Sequence, residues 1–185
     1  MPCTARTLLS AAAACCLAAA LTGCSSGTAG TRHPEQARTA PSAAGSPGQA
    51  ADPQSLARAA YLGMWQAYVA AARTADYQAP GLDHYAAGGA LSTLTHALYQ
   101  EHQDSDVTLG QPVLHPAVTL VEGSAGDVAQ ADVTDCADDS HWLNYHGGKL
   151  IADQDLRHRL ISARLQPFSG TWKVTYLNVG LAGTC

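Results

Sequence analysis

The apolar residues of this chain change their period near Asp106. Before it they recur every three to four positions and after it every second one, and a segment can satisfy only one of those two geometries. Upstream, Asp52-Pro53 places an N-cap before proline at the first helical position. Tyr61, Trp65, Tyr68, Val69 and Ala72 then form a single apolar stripe that needs a partner surface, and the helix should end between Arg73 and Asp76. Pro80-Gly81 is a turn, Asp83 offers a second cap, and Gly88-Gly89 interrupts the next helical stretch. A short helix is therefore expected from Asp83 and another from Ala90, with Leu91, Leu94 and Leu98 on its inner face.

Downstream, Leu114, Val118 and Leu120 sit at even spacing, with Pro116 as a bend or edge. Residues 123–126 turn the chain. Ala129, Ala131 and Val133 alternate with Gln130, Asp132 and Thr134, a half-buried strand running into Cys136 that leaves Asp132 on the polar face. Gly147-Gly148 is another turn and Leu156–Gln166 a long strand. Ser169-Gly170 turns again before Trp172, Val174 and Tyr176 alternate in a final strand. Helices first and a strand meander afterwards predict an α+β domain over residues 52–185, its N-terminal helices packed on a curved antiparallel sheet.

The first 51 residues belong to a different grammar. Arg6 precedes an apolar run from Leu8 to Leu21, rich in small Ala and shorter than the roughly 20 residues of a permanent span, so residues 1–23 read as a secretory signal. Leu21-Thr22-Gly23-Cys24 resembles the lipobox of bacterial lipoproteins, which implies lipidation of Cys24 and attachment at the extracytoplasmic face of the cell membrane. After it, residues 24–51 hold Ser, Gly, Ala, Thr, Pro and Gln without periodicity or large apolar groups and read as a flexible tether. Nothing downstream is long and apolar enough to be a second span.

Of the six cysteines, Cys3, Cys15 and Cys16 leave with the signal and Cys24 takes the lipid. Cys136 and Cys185 remain. In an oxidising compartment such a pair is most simply a disulfide, and the absence of a C-x-x-C spacing argues against a redox-active one. Fifteen acidic against ten basic residues, a net of -5, give no broad phosphate-neutralising face, so nucleic acid is excluded as an expected partner.

Several segments carry a resemblance: W-Q-A-Y-V-A-A-A-R-T-A-D-Y from Trp65 to Tyr77, Tyr85-Ala86-x-Gly88, D-C-A-D-D-S-H-W-L-N-Y from Asp135 to Tyr145, G-T-W-K-V from Gly170 to Val174, and the closing Gly183-Thr184-Cys185. From about residue 52 onward the chain resembles a group of actinobacterial secreted lipoproteins, similar to the nuclear-transport-factor-like or ketosteroid-isomerase-like cone superfamily. The resemblance implies a cone of helices on a curved sheet, and the group is mostly of unassigned function. No residue can be carried over from it as catalytic.

The densest polar cluster is Asp135, Asp138, Asp139 and His141, around Cys136. Carboxylates beside a histidine could act as an acid–base pair or hold a metal, but no repeated ligand spacing supports this, and a solvated loop after the strand is the expectation, with Asp138 and Ser140 tying the turn. Six of the histidines, His84, His96, His102, His115, His146 and His158, share no spacing. The aromatic set Trp65, Tyr68, Trp142, Tyr145, Trp172 and Tyr176 either lines a pocket for a small apolar ligand or fills the core, and with one Phe and two Met in the chain, core filling is the stronger reading. No metal or cofactor is expected. The sequence thus points to a lipid-anchored, non-enzymatic small-ligand-binding or accessory module, with a small-molecule isomerase or hydratase and a protein-docking domain of an envelope complex as the alternatives.

Overall fold

The computed structural model of the protein describes residues 52–124, 126–151 and 158–185. The signal, Cys24, the tether and the start of the strand expected from Leu156 lie outside the described residues. Helix α1 spans Pro53–Ala72, α2 Leu82–Tyr85 and α3 Gly88–Asp104. The strands are β1 Asp106–Gly110, β2 Ala117–Glu122, β3 Val128–Asp138, β4 Trp142–His146, β5 Lys149–Leu150, β6 His158–Phe168 and β7 Thr171–Val179. Among the described residues no helix is long and apolar enough to cross a membrane.

Helix α1 starts as its sequence dictates: the Asp52 carboxylate accepts the Ser55 N–H at 3.0 Å, and Pro53 occupies the position that has no partner to lose. Its stripe is buried whole, with Ala57, Ala60 and Met64 joining the aromatic residues. Full burial of one such large apolar side chain contributes about 1.5–3 kcal/mol, so the stripe fixes how the helix sits on the sheet. Gly63 lies on this helix because a Cβ there would run into the Tyr85 ring of α2. Helix α3 ends at Ser105, whose left-handed backbone, φ 57°, turns the chain directly into β1.

Antiparallel pairing orders the main sheet β2-β3-β6-β7, and a smaller sheet runs β1-β4-β5. The helices pack on the inner face of the main sheet, giving the expected α+β, cone-like arrangement. Ala131, Val133, Ile161, Ala163, Leu165, Val174 and Leu177 form the sheet's share of the core. Ser169 and Gly170, both at positive φ (49° and 84°), make the two-residue turn between β6 and β7. A bulge follows, because Leu165 pairs with Val174 while Arg164 pairs with Tyr176, leaving Thr175 as an extra residue. Here the Ala87 N–H donates to Val174 O at 2.8 Å, so the α2–α3 connection docks where the sheet bends.

The structure corrects several details of the sequence reading. Strand β2 begins at Ala117 and does not include Leu114. Residues 111–116 instead form a connection tied by the Val113–Asp138 bridge and by Arg58 Nη1, which donates to Pro116 O at 2.7 Å. Helix α3 starts at Gly88 rather than Ala90. Strands β1 and β4 are not foreshadowed, because their inward residues are partly polar (Thr108 is buried) and their sheet is half solvated, so apolar alternation never develops. Most consequentially, β3 runs past Cys136 to Asp138, so Asp138 belongs to the strand and not to a solvated loop after it, and Asp135 sits well inside the strand.

Candidate functional site

The polar cluster of the sequence is separated by the strand that carries it. Asp135 keeps the inward phase of Ala131 and Val133, is 1% exposed, and accepts hydrogen bonds from the Tyr61 hydroxyl at 3.0 Å and the His115 N–H at 2.8 Å. Burial, with the Asp135 carboxylate beside it, pushes the Tyr61 hydroxyl well above the ordinary tyrosine range. Asp138 faces the other way and accepts the Ser140 N–H at 2.9 Å, a bond that holds its carboxyl below the usual range. Asp139 is paired with Arg159, whose Nε and Nη2 both lie 2.6 Å from Asp139 Oδ2, and His141 is exposed. Among the described residues no three His, Cys, Asp or Glu side chains converge as a metal-binding group.

Cys136, one residue out of phase with Asp135, points to the sheet face away from the helices and is bonded to Cys185, with Cα atoms 5.9 Å apart. The tail before Cys185 is fastened along β6. The Gly180 and Gly183 N–H groups donate to Leu160 O (2.8 Å) and His158 O (2.6 Å), and the Leu160 N–H donates to Thr184 Oγ1 at 2.8 Å.

Of the six aromatic candidates the fold brings three together. Trp65 and Tyr68 from α1 meet Trp142 from β4 edge-to-face, with ring centroids 5.6 Å (Trp65–Trp142), 5.7 Å (Tyr68–Trp142) and 5.9 Å (Trp65–Tyr68) apart. Trp172 is buried elsewhere in the core and Tyr145 is partly exposed. Tyr176, 52% exposed, belongs to neither core nor cavity, because the bulge at Thr175 shifts the alternation and gives the inward position to Leu177.

The three rings form one wall of a cavity of about 280 Å³ between α1, α3 and both sheets. The lining also includes Glu101 from α3, Thr108 from β1, Asn144 from β4 and the Asp139–Arg159 pair. Burial pushes the Glu101 carboxyl up, and nearby Asp106 adds to the effect against the opposing hydrogen bond from Thr108. Burial, together with Glu101, raises the Tyr68 hydroxyl in turn. Thr108 Oγ1 lies 3.0 Å from Glu101 Oε1 and 2.7 Å from Asn144 Oδ1, but one hydroxyl proton cannot serve two acceptors. Either the Asn144 amide is turned to donate to Thr108, or a proton on Glu101 Oε1 starts a chain of donation through Thr108 to Asn144.

In both arrangements Glu101 Oε2 has no hydrogen-bond partner among the described residues, and neither has the Trp142 indole N–H. Buried polar atoms are rarely left so. The Trp65 N–H is also unpaired, but it leans toward the Tyr61 hydroxyl without reaching bonding geometry. A second, more open groove of about 500 Å³ lies on the other side of Trp65, between Leu62, Gln66 and Arg73 of α1 and residues 111–114. Its remaining lining offers no comparable pair of unpaired buried groups among the described residues.

Glu101, Thr108, Asn144 and Arg159 were not singled out by the sequence. For Glu101 a signal existed: it lies seven residues after Leu94 and three after Leu98, on the same stripe, a charge on an apolar face.

No protein-family model matches the chain, and no curated protein matches it. Among solved structures, the chain is similar to the intermembrane-space region of the chloroplast protein ARC6, at 16% identity and a TM-score of 0.48, over 70% of this chain and 97% of that one. It is also similar to a protein assigned as an aromatic ring hydroxylase of Novosphingobium aromaticivorans, at 10% identity and a TM-score of 0.42, over 68% of this chain and 88% of that one.

Proposed function

We propose that this chain is a membrane-anchored extracytoplasmic lipoprotein whose domain holds a small ligand in the cavity bounded by Trp65, Trp142 and Glu101. The observation that carries the reading is the pair of buried, unpaired polar atoms, Glu101 Oε2 and the Trp142 N–H, on the wall of one aromatic-lined cavity. Each costs the empty fold about 1–3 kcal/mol, and a ligand offering one donor and one acceptor recovers that. Apolar walls with a few convergent polar groups are the common form of a small-molecule site. Membership of the cone superfamily and the lipoprotein group rests on the sequence resemblance. The lipid anchor follows from Cys24, since two acyl chains at about 0.8 kcal/mol per methylene hold a protein on a bilayer.

A second reading, a small-molecule isomerase or hydratase in the same cavity, is favoured by Glu101: a cavity carboxyl raised by burial holds a proton more readily than an ordinary one and is better placed to pass it on. It also needs a second free polar group to act on the reacting molecule. Asp139 is held by Arg159, so that group is the unpaired Trp142 N–H.

Two measurements test the proposal. In a thermal-shift screen of the whole chain in non-ionic detergent, a ligand at a hundred times its Kd should stabilise by about 2.7 kcal/mol and quench tryptophan fluorescence. Trp142→Phe should weaken that ligand about tenfold by removing one hydrogen bond. Ligands that bind the variant and the parent equally would place the site elsewhere. For the anchor, mass spectrometry of the mature protein should find a diacylated N-terminal Cys24; an unmodified chain starting elsewhere would refute it.

A further inference from the structure

Resting on the capture reading, we infer that the ligand is a small organic ammonium ion carrying a hydrogen-bond acceptor close to its nitrogen. Glu101 Oε2 is buried and has no partner among the described residues; where the Asn144 amide is turned to donate to Thr108, the Thr108 hydroxyl donates to Oε1 of an ionised Glu101 and Oε2 is an acceptor, so the ligand must bring an N–H or O–H to it.

Charge then decides between donors. The only guanidinium on the cavity wall among the described residues, that of Arg159, is engaged by Asp139 at 2.6 Å, which leaves Glu101 without a counter-cation there. Asp106 adds a second negative group near Glu101, its Oδ1 lying 2.7 Å from the His146 ring Nδ1 on the exposed surface. A neutral hydroxyl would satisfy Oε2 but leave that negative potential uncompensated. An ammonium satisfies both.

The aromatic lining agrees. Trp65, Tyr68 and Trp142 supply electron-rich rings, and a cation close to such a ring is favoured, most strongly where water is excluded. The Trp142 N–H is a donor with no acceptor, which asks for an oxygen on the ligand near the charged nitrogen. An ammonium with a neighbouring hydroxyl or carbonyl meets both unpaired atoms within a cavity of about 280 Å³.

The test uses isosteres that differ in one group: 2-amino-1-phenylethanol, the matching 1-phenyl-1,2-ethanediol, and the anionic mandelate. Binding is followed by tryptophan fluorescence and calorimetry on the whole chain in non-ionic detergent. The amino alcohol is expected to bind at least tenfold tighter than the diol, and mandelate not at all. Glu101→Gln, which keeps the side chain's size, should bring amino alcohol and diol to within about twofold of each other. A diol that binds as well as the amino alcohol, or a preference that survives Glu101→Gln, overturns the ammonium assignment and leaves ligand capture standing. If none of the three binds, and a broad neutral and anionic screen also finds nothing, the ammonium assignment and the capture reading fall together.

Discussion

Replacing Asp135 with leucine is expected to cost the fold roughly 3–5 kcal/mol, since it removes the acceptor of one buried and one partly buried hydrogen bond, each worth about 1.5–3 kcal/mol when made to a carboxylate. The Tyr61 hydroxyl would be stranded away from water, and the His115 N–H, in a partly buried bond, would lose its acceptor. Tyr61 is itself fully buried, so it cannot swing out to find another partner. Asparagine at the same position should cost less, roughly 1–2 kcal/mol, because its oxygen still accepts one bond and its amide can donate to the tyrosine oxygen. Urea unfolding should show the midpoint falling in the order parent, Asp135→Asn, Asp135→Leu, with the slope unchanged. A leucine variant within 1 kcal/mol of the parent would mean, by the same scale, that the carboxylate is not tying α1 to β3. Asp135 does not line the cavity, so at low temperature the folded variants should keep the parent's ligand affinity.

The second large effect is that of the disulfide. Cys136 and Cys185 are 49 residues apart in sequence, and in the chain-entropy model closing such a loop stabilises by roughly 4 kcal/mol. Changing both cysteines to serine should therefore lower Tm by roughly 10–15 °C in a domain of this size. A Tm within about 2 °C of the oxidised parent would show, on that scale, that the bond does not constrain the unfolded chain. A local consequence accompanies the global one. The tail fastens His158 and Leu160 on either side of Arg159, the residue that holds Asp139 at the cavity wall. Hydrogen exchange should accordingly speed up first at the start of β6, before the core strands loosen.

These two sites show where sequence reasoning reaches and where it stops. Helix α1 was legible to its cap because local chemistry decides it: Asp52, Pro53 and a stripe of rings need no distant partner to be read. The hairpin at Ser169-Gly170 was legible for the same reason. Asp135 was within reach, since the alternation that places Ala131 and Val133 inward and Asp132 outward puts Asp135 inward when carried two residues further. Grouping it with Asp138, Asp139 and His141 as one polar cluster hid it, because that cluster was expected in a loop whereas the strand carries its inward phase through Asp135 and runs on to Asp138. Aromatic residues were identifiable as a set, but sequence could not say that Trp65, Tyr68 and Trp142 meet while Tyr176 does not. That outcome depends on a bulge, and nothing in the residues from Trp172 to Tyr176 announces one. The cavity was least legible of all. Glu101, Thr108 and Asn144 come from three separate elements, and only tertiary packing leaves one carboxylate oxygen without a donor.

The extra residue in β7 also sets how this domain can vary in length. Deleting Thr175 would close the bulge into a regular ladder, keeping Tyr176 outward and Leu177 inward but removing the bend at which Ala87 docks on Val174, whereas an added residue in the turn at Ser169-Gly170 would lengthen a loop and leave both the faces and the bend as they are. Insertions and deletions among natural variants of this chain should therefore gather at the hairpin tips and spare the bend.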